Sequence, residues 1–380
     1  MADPIWFWQR IVSPHMAGLA AALAGHGRDI TYVAEQEMSA VRAAQGWRAP
    51  DLGDARLRFA PTAEVVRHLV RVAPADSIHI CQGLRGNGLV GAAQQALAQR
   101  GFRQWVVMET VDDAGWRGML RRLEYRRLIR QSRAHLEGIL ATGHATPDWL
   151  VKRGMPPEKV FPFAYFLPDR KLEAAPGFDP DTPFCVLFVG QLIERKRIGL
   201  LIDALAPLSD TTFELVAVGS GPLEDALRAS ADEKLRGRVR WFGRRPIGEM
   251  PALMAAADCL VLPSRHDGWG AVVSEALMAG TPAVCSDACG AAGVVRASGV
   301  GGVFKAGDAA GLRDLLRDAL ARGRQMPDTR QALAAWAHCL GARAGAGYLD
   351  AILRHVEGAD DAPAQPWQQR RAVLAKAEHQ

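Results

Sequence analysis

Two carboxylates eight residues apart lie in the segment of the sequence whose residue types are best suited to chemistry. Asp267 follows the apolar run Cys259–Leu262, and Glu275 lies about one turn inside the helix predicted for Ala271–Met278. Carboxylates accept hydrogen bonds from sugar hydroxyls, and the N–H groups at a helix start receive phosphate oxygens. The spacing therefore predicts two acidic side chains at the mouth of one crevice. A helix cap at Asp267 and a surface glutamate at 275 are the plainer alternative, which leaves the rest of this segment unexplained.

A cluster of three cations follows the apolar run Phe184–Val189. Gly190 would let a ligand approach the backbone closely. Arg195, Lys196 and Arg197 precede a predicted helix, whose N-terminus itself favours anions. These residues predict a diphosphate site, with a solvated basic turn as the alternative.

The segment Gly219–Pro222 is a second strand-to-helix turn, because it follows the apolar run Phe213–Val218. Gly219 and Gly221 would keep side chains away from a phosphate, although a tight turn alone explains the same pattern. A nicotinamide-dependent oxidoreductase would need Gly-x-Gly-x-x-Gly after a first strand, with an acidic residue about 20 positions further on. That pattern is not in place after the first predicted strand.

The elements that must position these residues are short apolar runs alternating with helical stretches, which is typical of parallel α/β sheets. Ligands bind at the carboxyl ends of the strands in such sheets, where the three clusters lie. The first half contains the predicted strands Ile5–Trp8, Ile30–Ala34, Ile78–Cys81, Trp105–Met108, Gly138–Thr142 and Val160–Ala164. The second half contains Phe184–Val189, Phe213–Val218, Val239–Phe242, Cys259–Leu262 and Ala283–Ser286.

The string Asp267–Pro282 resembles two consecutive motifs of glycosyltransferase family 4 (group 1), the retaining GT-B enzymes. The family's Glu-x7-Glu motif is similar to Asp267-x7-Glu275, and its Ala-x-x-x-Gly-x-Pro motif is similar to Ala276–Pro282. The resemblance covers 184–286 and extends more loosely over most of the chain. It implies an α/β protein of the GT-B class, with two Rossmann-like domains facing a central cleft.

The chain's 380 residues suit two domains, and 168–183 reads as a linker because it holds four prolines. The resemblance implies an acceptor-side Rossmann-like domain over 1–168, a linker over 169–183 and a nucleotide-sugar-binding Rossmann-like domain over 184–345. The remaining residues, 346–380, are expected to form a helix and a tail that packs back on the N-terminal domain.

The resemblance also implies roles for individual residues. Glu275 would bind the ribose hydroxyls of the nucleotide, Asp267 would contact the donor sugar, and Lys196 falls on the phosphate-binding lysine. The backbone of three consecutive residues would lie against the sugar and the diphosphate: Gly268, Trp269 and Gly270.

Three positions depart from the family pattern. Gln191 replaces an arginine five residues before Lys196, and we expect Arg195 or Arg197 to compensate for the lost charge. Asp267 is shorter than the family's glutamate, which is expected to affect sugar selectivity. Glu109 ends a predicted strand where many members carry a histidine, and it is retained as a catalytic or acceptor-side candidate.

The function implied is transfer of a hexose-type sugar, with retention, from a nucleoside-diphosphate sugar to a glycan or lipid-linked acceptor in cell-surface polysaccharide assembly. Lys196 and helix N-termini would stabilise the leaving diphosphate, so no metal and no further cofactor are expected. Two alternatives remain open: a non-catalytic nucleotide-sugar-binding subunit, or another GT-B sugar-nucleotide enzyme such as an epimerase or a phosphorylase.

Residues 116–133 form a helix-like stretch with seven arginines among Leu120, Leu123, Leu128 and Ile129. A basic amphipathic helix can bind an anionic membrane surface, and a solvated arginine face is the alternative. A pI near 9.0 suits phosphate-bearing ligands or such a surface, and no motif suggests nucleic acid. The N-terminus does not read as a signal peptide and no apolar run is long enough to span a bilayer. We therefore expect a cytoplasmic protein, attached at most peripherally to the inner membrane face.

Overall fold

The computed structural model describes residues 3–39, 49–86, 88–169, 182–208 and 210–368. Most of the predicted linker, 170–181, lies outside these residues. The chain forms two compact units, each with its own parallel sheet. Unit 1 comprises Met1–Asp169 and Leu340–Pro366, and unit 2 comprises Arg170–Cys339 and Trp367–Gln380.

Unit 1 is built on a seven-stranded sheet in the order β3-β2-β1-β4-β5-β6-β7, and every pairing is parallel. The central strands are buried on both faces because helices cover both sides of such a sheet. Its strands are β1 Ile5–Ile11, β2 Ile30–Gln36, β3 Arg56–Phe59, β4 Ile78–Gln82, β5 Arg103–Glu109, β6 Leu136–Thr142 and β7 Val160–Phe163.

Six helices in the described residues accompany this sheet, and the last of them, α13, returns from the end of the chain to pack on the first. Arg28 next to β2 forms an ion pair with Asp350 of α13 at 2.8 Å, which fixes the contact. The helices are α1 Pro14–Gly25, α2 Ala63–Val72, α3 Leu89–Gln99, α4 Gly115–Ser132, α5 Thr146–Val151 and α13 Ala342–Val356.

Unit 2 is built on a six-stranded parallel sheet in the order β10-β9-β8-β11-β12-β13. Its strands are β8 Phe184–Val189, β9 Phe213–Val218, β10 Val239–Gly243, β11 Cys259–Leu262, β12 Ala283–Ser286 and β13 Gly302–Phe304. Its helices within the described residues are α6 Ile198–Leu205, α7 Glu224–Leu235, α8 Met250–Ala256, α9 Ala271–Met278, α10 Ala292–Ser298, α11 Ala309–Arg322 and α12 Pro327–Ala337.

The strand order reverses once in each sheet, between β1 and β4 in unit 1 and between β8 and β11 in unit 2. At such a reversal the connections leave the two adjacent strands in opposite directions, which opens a crevice at their carboxyl ends. The cation cluster follows β8 and the acidic cluster follows β11. Both therefore lie at the reversal point of unit 2.

A short break in the chain separates α12 from α13. α12 ends at Ala337, a short 3-10 turn covers His338–Leu340, and α13 begins at Ala342. The break has a clear cause: Gly341 is extended and forms a parallel bridge with Leu167, whose backbone bonds both sides of the break.

In the described part of the chain, no helix combines the length and the apolar composition that crossing a bilayer requires.

Candidate functional site

Three loops meet at the carboxyl edge of the unit 2 sheet. They leave β8, β9 and β11 and lead into α6, α7 and α9. Backbone hydrogen bonds tie them together: Leu192 N donates to Ser220 O at 3.0 Å, and Arg265 N donates to Arg195 O at 2.8 Å. The predicted cation, glycine and acidic clusters thus form one continuous surface within unit 2.

The structure brings Lys196 and Asp267 together. Lys196 Nζ donates to Asp267 Oδ2 at 2.5 Å, and each side chain is only 14% exposed. The Ser264 hydroxyl lies 3.5 Å from the same carboxylate oxygen. Because both charges are largely removed from water, each depends on the other for compensation. A ligand that binds here can exchange this contact for contacts to its own phosphate and hydroxyl groups.

Arg195 and Arg197 point to different places. Arg195 Nη1 donates to the His266 carbonyl at 2.9 Å and lies 3.8 Å from Asp267 Oδ2. Arg197 has a left-handed backbone conformation. Its guanidinium lies beside Gly307, because a Cβ built on that glycine would be 2.9 Å from Arg197 Nη1. Of the two cations expected to replace the charge absent at Gln191, Arg195 is therefore the one beside Asp267. Gln191 itself is exposed.

The glycines of the first two loops permit a close approach of backbone to backbone. A Cβ on Gly219, which has φ +137°, would lie 1.9 Å from the carbonyl oxygen of Gly190. A Cβ on Gly221 would lie 2.4 Å from the carbonyl oxygen of Leu192. Any side chain at either position would force the loops apart, so glycine is required there for loop packing in addition to any ligand.

The third loop turns sharply into α9 at Gly270, where φ is +87°. Trp269 is buried, and its indole N–H donates to the Ser274 hydroxyl at 3.1 Å. The Trp269 carbonyl accepts from Cys289 Sγ at 3.0 Å, and a Cβ on Gly290 would lie 1.9 Å from Gly268 O. The side chain of Trp269 thus anchors the loop, and only backbone atoms of this segment can face a ligand.

Glu275 lies in the second turn of α9 and is half-buried. It shares a helix face with Ala271, four residues earlier, so its side chain leans towards the N-terminus of the helix. The N-cap residue of α9 is Gly270, which has no side chain to bond the first N–H groups of the helix. Its N–H groups and the Glu275 carboxylate consequently belong to the same end of α9.

Glu109 belongs to unit 1, where it is the last residue of β5 and pairs with Thr142 of β6. It is half-buried at the carboxyl edge of the unit 1 sheet. The cluster of Lys196, Asp267, Arg195 and Ser264 belongs to unit 2.

Sequence patterns did not identify two features of these edges. The Ser264 hydroxyl, the His266 backbone carbonyl and the Cys289 thiol support Asp267 or its loop. Neither a backbone carbonyl nor an isolated serine or cysteine gives a signal before the fold is known. In unit 1, glycines at 86, 88 and 91 follow β4 and open α3, and Gly88 has φ +60°. The sequence itself contains this Gly-x-Gly-x-x-Gly spacing. It follows β4, whereas a search for the dinucleotide-binding pattern examines the turn after the first strand.

Two buried titratable groups are neutral and supply packing. Hydrogen bonding to Cys285 and burial raise the pKa of the Cys289 thiol well above its ordinary value, so it stays protonated beneath the acidic loop. In unit 1, burial lowers the pKa of His79 to about 3. Among the residues that the structure describes, no three His, Cys, Asp or Glu side chains are grouped as metal ligands.

Comparisons with known proteins single out the same half of the chain. The sequence profile of the family described as "Glycosyl transferases group 1" matches residues 169–335, which include all the unit 2 loops described above. The 2-deoxystreptamine glucosyltransferase of Streptomyces kanamyceticus is 35% identical over 149 residues, which is 36% of this chain and 35% of that protein. The matched stretches cover 35%, 36% and 49% of the length of three curated relatives. The chain therefore spans between about a third and a half of these proteins.

Two solved structures extend the likeness over both units. The lipopolysaccharide outer core galactosyltransferase WaaB in its apo form superposes with a TM-score of 0.69 at 15% sequence identity. The superposition covers 93% of this chain and 99% of the WaaB chain. HepE from Anabaena, in complex with UDP and glucose, superposes with a TM-score of 0.68 at 16% sequence identity. The superposition covers 93% of this chain and 100% of the HepE chain. These likenesses confirm the predicted fold class: the two parallel-sheet α/β units are those of the GT-B fold.

Proposed function

We propose that the protein is a retaining glycosyltransferase that binds a nucleoside-diphosphate sugar at the carboxyl ends of β8, β9 and β11. The observation that carries the proposal is the contact between Lys196 and Asp267, which joins the loops after β8 and β11 at the reversal point of the unit 2 sheet. The family match over residues 169–335 and the glycosyltransferase relatives support it. HepE, whose structure contains UDP and glucose, supports this class of donor.

In this proposal each side chain takes one part of the donor. The Glu275 carboxylate accepts hydrogen bonds from the ribose hydroxyls, and Asp267 accepts from hydroxyls of the sugar. Lys196 leaves Asp267 for the diphosphate, and Arg195 supplies the second positive charge that Gln191 cannot. Because the Lys196 side chain is largely buried, few water molecules screen its attraction to the diphosphate.

The chemistry requires the bond between the anomeric carbon and the diphosphate oxygen to break while a bond to an acceptor oxygen forms. Negative charge grows on the departing diphosphate, and in this scheme Lys196, Arg195 and the N-terminus of α9 stabilise it. No step in this scheme needs a metal. The proton of the acceptor hydroxyl passes to the departing diphosphate oxygen, which has taken the electron pair of the broken bond. Glu109, at the carboxyl edge of the unit 1 sheet, is the proposed acceptor-side group.

The acceptor is proposed to be a glycan or a lipid-linked saccharide used in cell-surface polysaccharide assembly. WaaB, which shares this fold, is described as a lipopolysaccharide outer core galactosyltransferase, and a curated relative from Erwinia amylovora is an amylovoran biosynthesis glycosyltransferase.

The experiment is a screen of UDP-, GDP-, ADP- and CDP-sugars, first by thermal shift and then by release of the nucleoside diphosphate. One donor is expected to raise the melting temperature of the protein, because it binds only the folded state. NMR of the product is expected to show the anomeric configuration of the donor, and EDTA is expected to leave the rate unchanged. Binding without release, with acceptors supplied, would instead identify a non-catalytic nucleotide-sugar-binding subunit.

A further inference from the structure

Helix α4 of unit 1 presents a row of apolar side chains to solvent. Trp116 is 69% exposed, Met119 54%, Leu120 55% and Leu123 54%. Positions 116, 119, 120 and 123 follow the i, i+3, i+4, i+7 spacing that places side chains on one stripe of a helix. These four residues, the exposed row, therefore form one continuous apolar strip over the first half of α4.

The exposed row is separate from the face that packs α4 onto unit 1. Gly118, Tyr125 and Ile129 are buried and lie on the opposite side of the helix. The sequence placed these apolar residues in one basic amphipathic helix, and the structure divides them: Leu120 and Leu123 point to solvent, whereas Ile129 points to the core. Among the residues that the structure describes, unit 1 thus leaves the exposed row uncovered.

The same solvent face continues as arginine over the second half of the helix. Arg126, Arg127 and Arg130 are exposed and form no ion pair with any residue that the structure describes. Within Gly115–Ser132, the whole of which is described, the one acidic residue is Glu124, and Arg85 neutralises it at 2.6 Å. The face is thus apolar at one end and positively charged at the other.

We propose that this face of α4 docks the protein onto an anionic lipid surface. A helix lying in the plane of such a surface buries its apolar side chains at the boundary between headgroups and acyl chains. Trp116 suits this boundary, and Arg117, stacked 5.1 Å above its ring, can reach the headgroups. Arg126, Arg127 and Arg130 pair with lipid phosphates, each contributing on the order of five-fold to binding.

Charge favours lipid over the other possible occupants. A second copy of the chain that used this face symmetrically would bring its arginines against arginines or against the exposed row, with no acid in the helix left to neutralise them. Nucleic acid would satisfy the arginines but leave the exposed row in contact with phosphate or water. An anionic bilayer alone offers phosphates and a hydrocarbon layer to the same helix face. This inference does not rest on the proposed function.

The test is sedimentation of the full chain with vesicles of phosphatidylcholine, with and without 30% phosphatidylglycerol. We expect binding to the anionic vesicles only, and a loss of binding as salt rises. The triple variant Arg126→Gln/Arg127→Gln/Arg130→Gln is expected to bind on the order of 100-fold more weakly. Arg58→Gln/Arg67→Gln/Arg71→Gln, which removes three exposed arginines elsewhere on unit 1, is the matched control and is expected to bind normally.

Depth is tested with brominated lipids, which quench a tryptophan that enters the acyl boundary. Quenching is expected in the wild-type protein and is expected to fall in Trp116→Phe and in Met119→Gln/Leu120→Gln/Leu123→Gln. Phe59→Gln/Val72→Gln/Met326→Gln removes exposed apolar side chains elsewhere and should retain full quenching. Because all these side chains are exposed, the variants should fold, which circular dichroism and the melting temperature verify.

Three results would overturn the proposal. The first is equal binding to neutral and anionic vesicles, or no binding to either. The second is binding that the arginine variant and its control weaken equally. The third is a dimer in sedimentation equilibrium that the Met119→Gln/Leu120→Gln/Leu123→Gln variant dissociates, since that would assign the exposed row to a second copy of the chain. Loss of nucleotide-sugar turnover would not bear on any of these measurements.

Discussion

Lys196 and Asp267 are 71 positions apart in sequence, yet their side chains form the shortest link between the loops of the candidate site. Sequence motifs could identify both residues, because glycine loops and charged residues after apolar runs mark the ends of parallel strands. The sequence could not show that Asp267 already has Lys196 as its partner. Nor could it decide between Arg195 and Arg197, since that depends on the backbone conformation at each position.

Changing one member of the Lys196–Asp267 pair is expected to cost stability as well as donor binding. Lys196→Gln removes the nearer of the two cations beside the Asp267 carboxylate and leaves Arg195 3.8 Å away. We expect this to lower the free energy of unfolding by about 1–3 kcal/mol. The double variant Lys196→Gln/Asp267→Asn should recover part of that stability but no turnover. Urea unfolding and release of the nucleoside diphosphate are the two measurements. Additive losses of stability in the double variant would show that the pair is not coupled.

Arg195→Gln is expected to reduce turnover of the donor by about 10- to 100-fold, because one charge-assisted contact to the diphosphate is lost. Arg197→Gln is the matched control: it carries the same change two residues away, but its side chain lies beside Gly307. We expect its turnover to stay within about two-fold of the wild type. A larger loss in Arg197→Gln than in Arg195→Gln would reverse the assignment.

At the scale of elements, the sequence predicted the unit 2 strands almost residue by residue, because buried parallel strands are continuous apolar runs between turns. It missed β3, whose Arg56–Phe59 sequence alternates polar and apolar residues at the sheet edge, and β13, which has only three residues. The length and composition of these two segments do not predict a strand, because β3 and β13 form only by pairing with a neighbouring strand. The loops that join the elements were located correctly, but their mutual packing follows from the three-dimensional arrangement.

Gly219→Ala is expected to disrupt the loops after β8 and β9. The new methyl group would lie 1.9 Å from Gly190 O, and φ +137° disfavours any residue but glycine. We expect unfolding to become easier by about 2 kcal/mol or more and donor binding to disappear. Gly248→Ala, where no atom lies within 4 Å of the new methyl group, is the control and should be close to neutral. Comparable melting temperatures for the two variants would refute this account of the loops.

The buried histidine of β4 makes the stability of unit 1 depend on pH. Trp8 Nε1 donates to His79 Nδ1 at 3.0 Å, so the ring proton lies on Nε2, 3.0 Å from the Ser77 hydroxyl. Burial lowers the pKa of His79 to about 3, whereas the unfolded chain takes up this proton near pH 6.5. The neutral His79 therefore contributes its full share to the free energy of unfolding above pH 6.5. This contribution is lost as the pH falls from 6.5 towards 3, by up to about 1.4 kcal/mol per pH unit.

The comparison that isolates this effect is between the wild type and His79→Gln. Urea unfolding between pH 7.5 and 5 should show a steeper loss of stability in the wild type than in the variant, whatever their stabilities at pH 7.5. Parallel curves would mean that His79 binds its proton equally in both states.

At the scale of the whole molecule, each unit repeats one plan: a parallel sheet with a single reversal of strand order and polar loops at its carboxyl edge. The fold was predictable because alternation of strands and helices restarts after the proline-containing segment 168–183. The fold itself does not assign a function. The assignment depends on unit 2, where the family match, the Lys196–Asp267 contact and the glycine N-cap of α9 coincide.

The most direct test of the account is a crystal structure of the protein with the nucleoside diphosphate that produces the largest thermal shift. We predict the nucleotide at the carboxyl ends of β8 and β11, with Glu275 about 3 Å from the ribose hydroxyls and Lys196 Nζ turned from Asp267 to the diphosphate. A nucleotide bound elsewhere, or one bound there with the Lys196–Asp267 contact intact and Glu275 remote from the ribose, would contradict it.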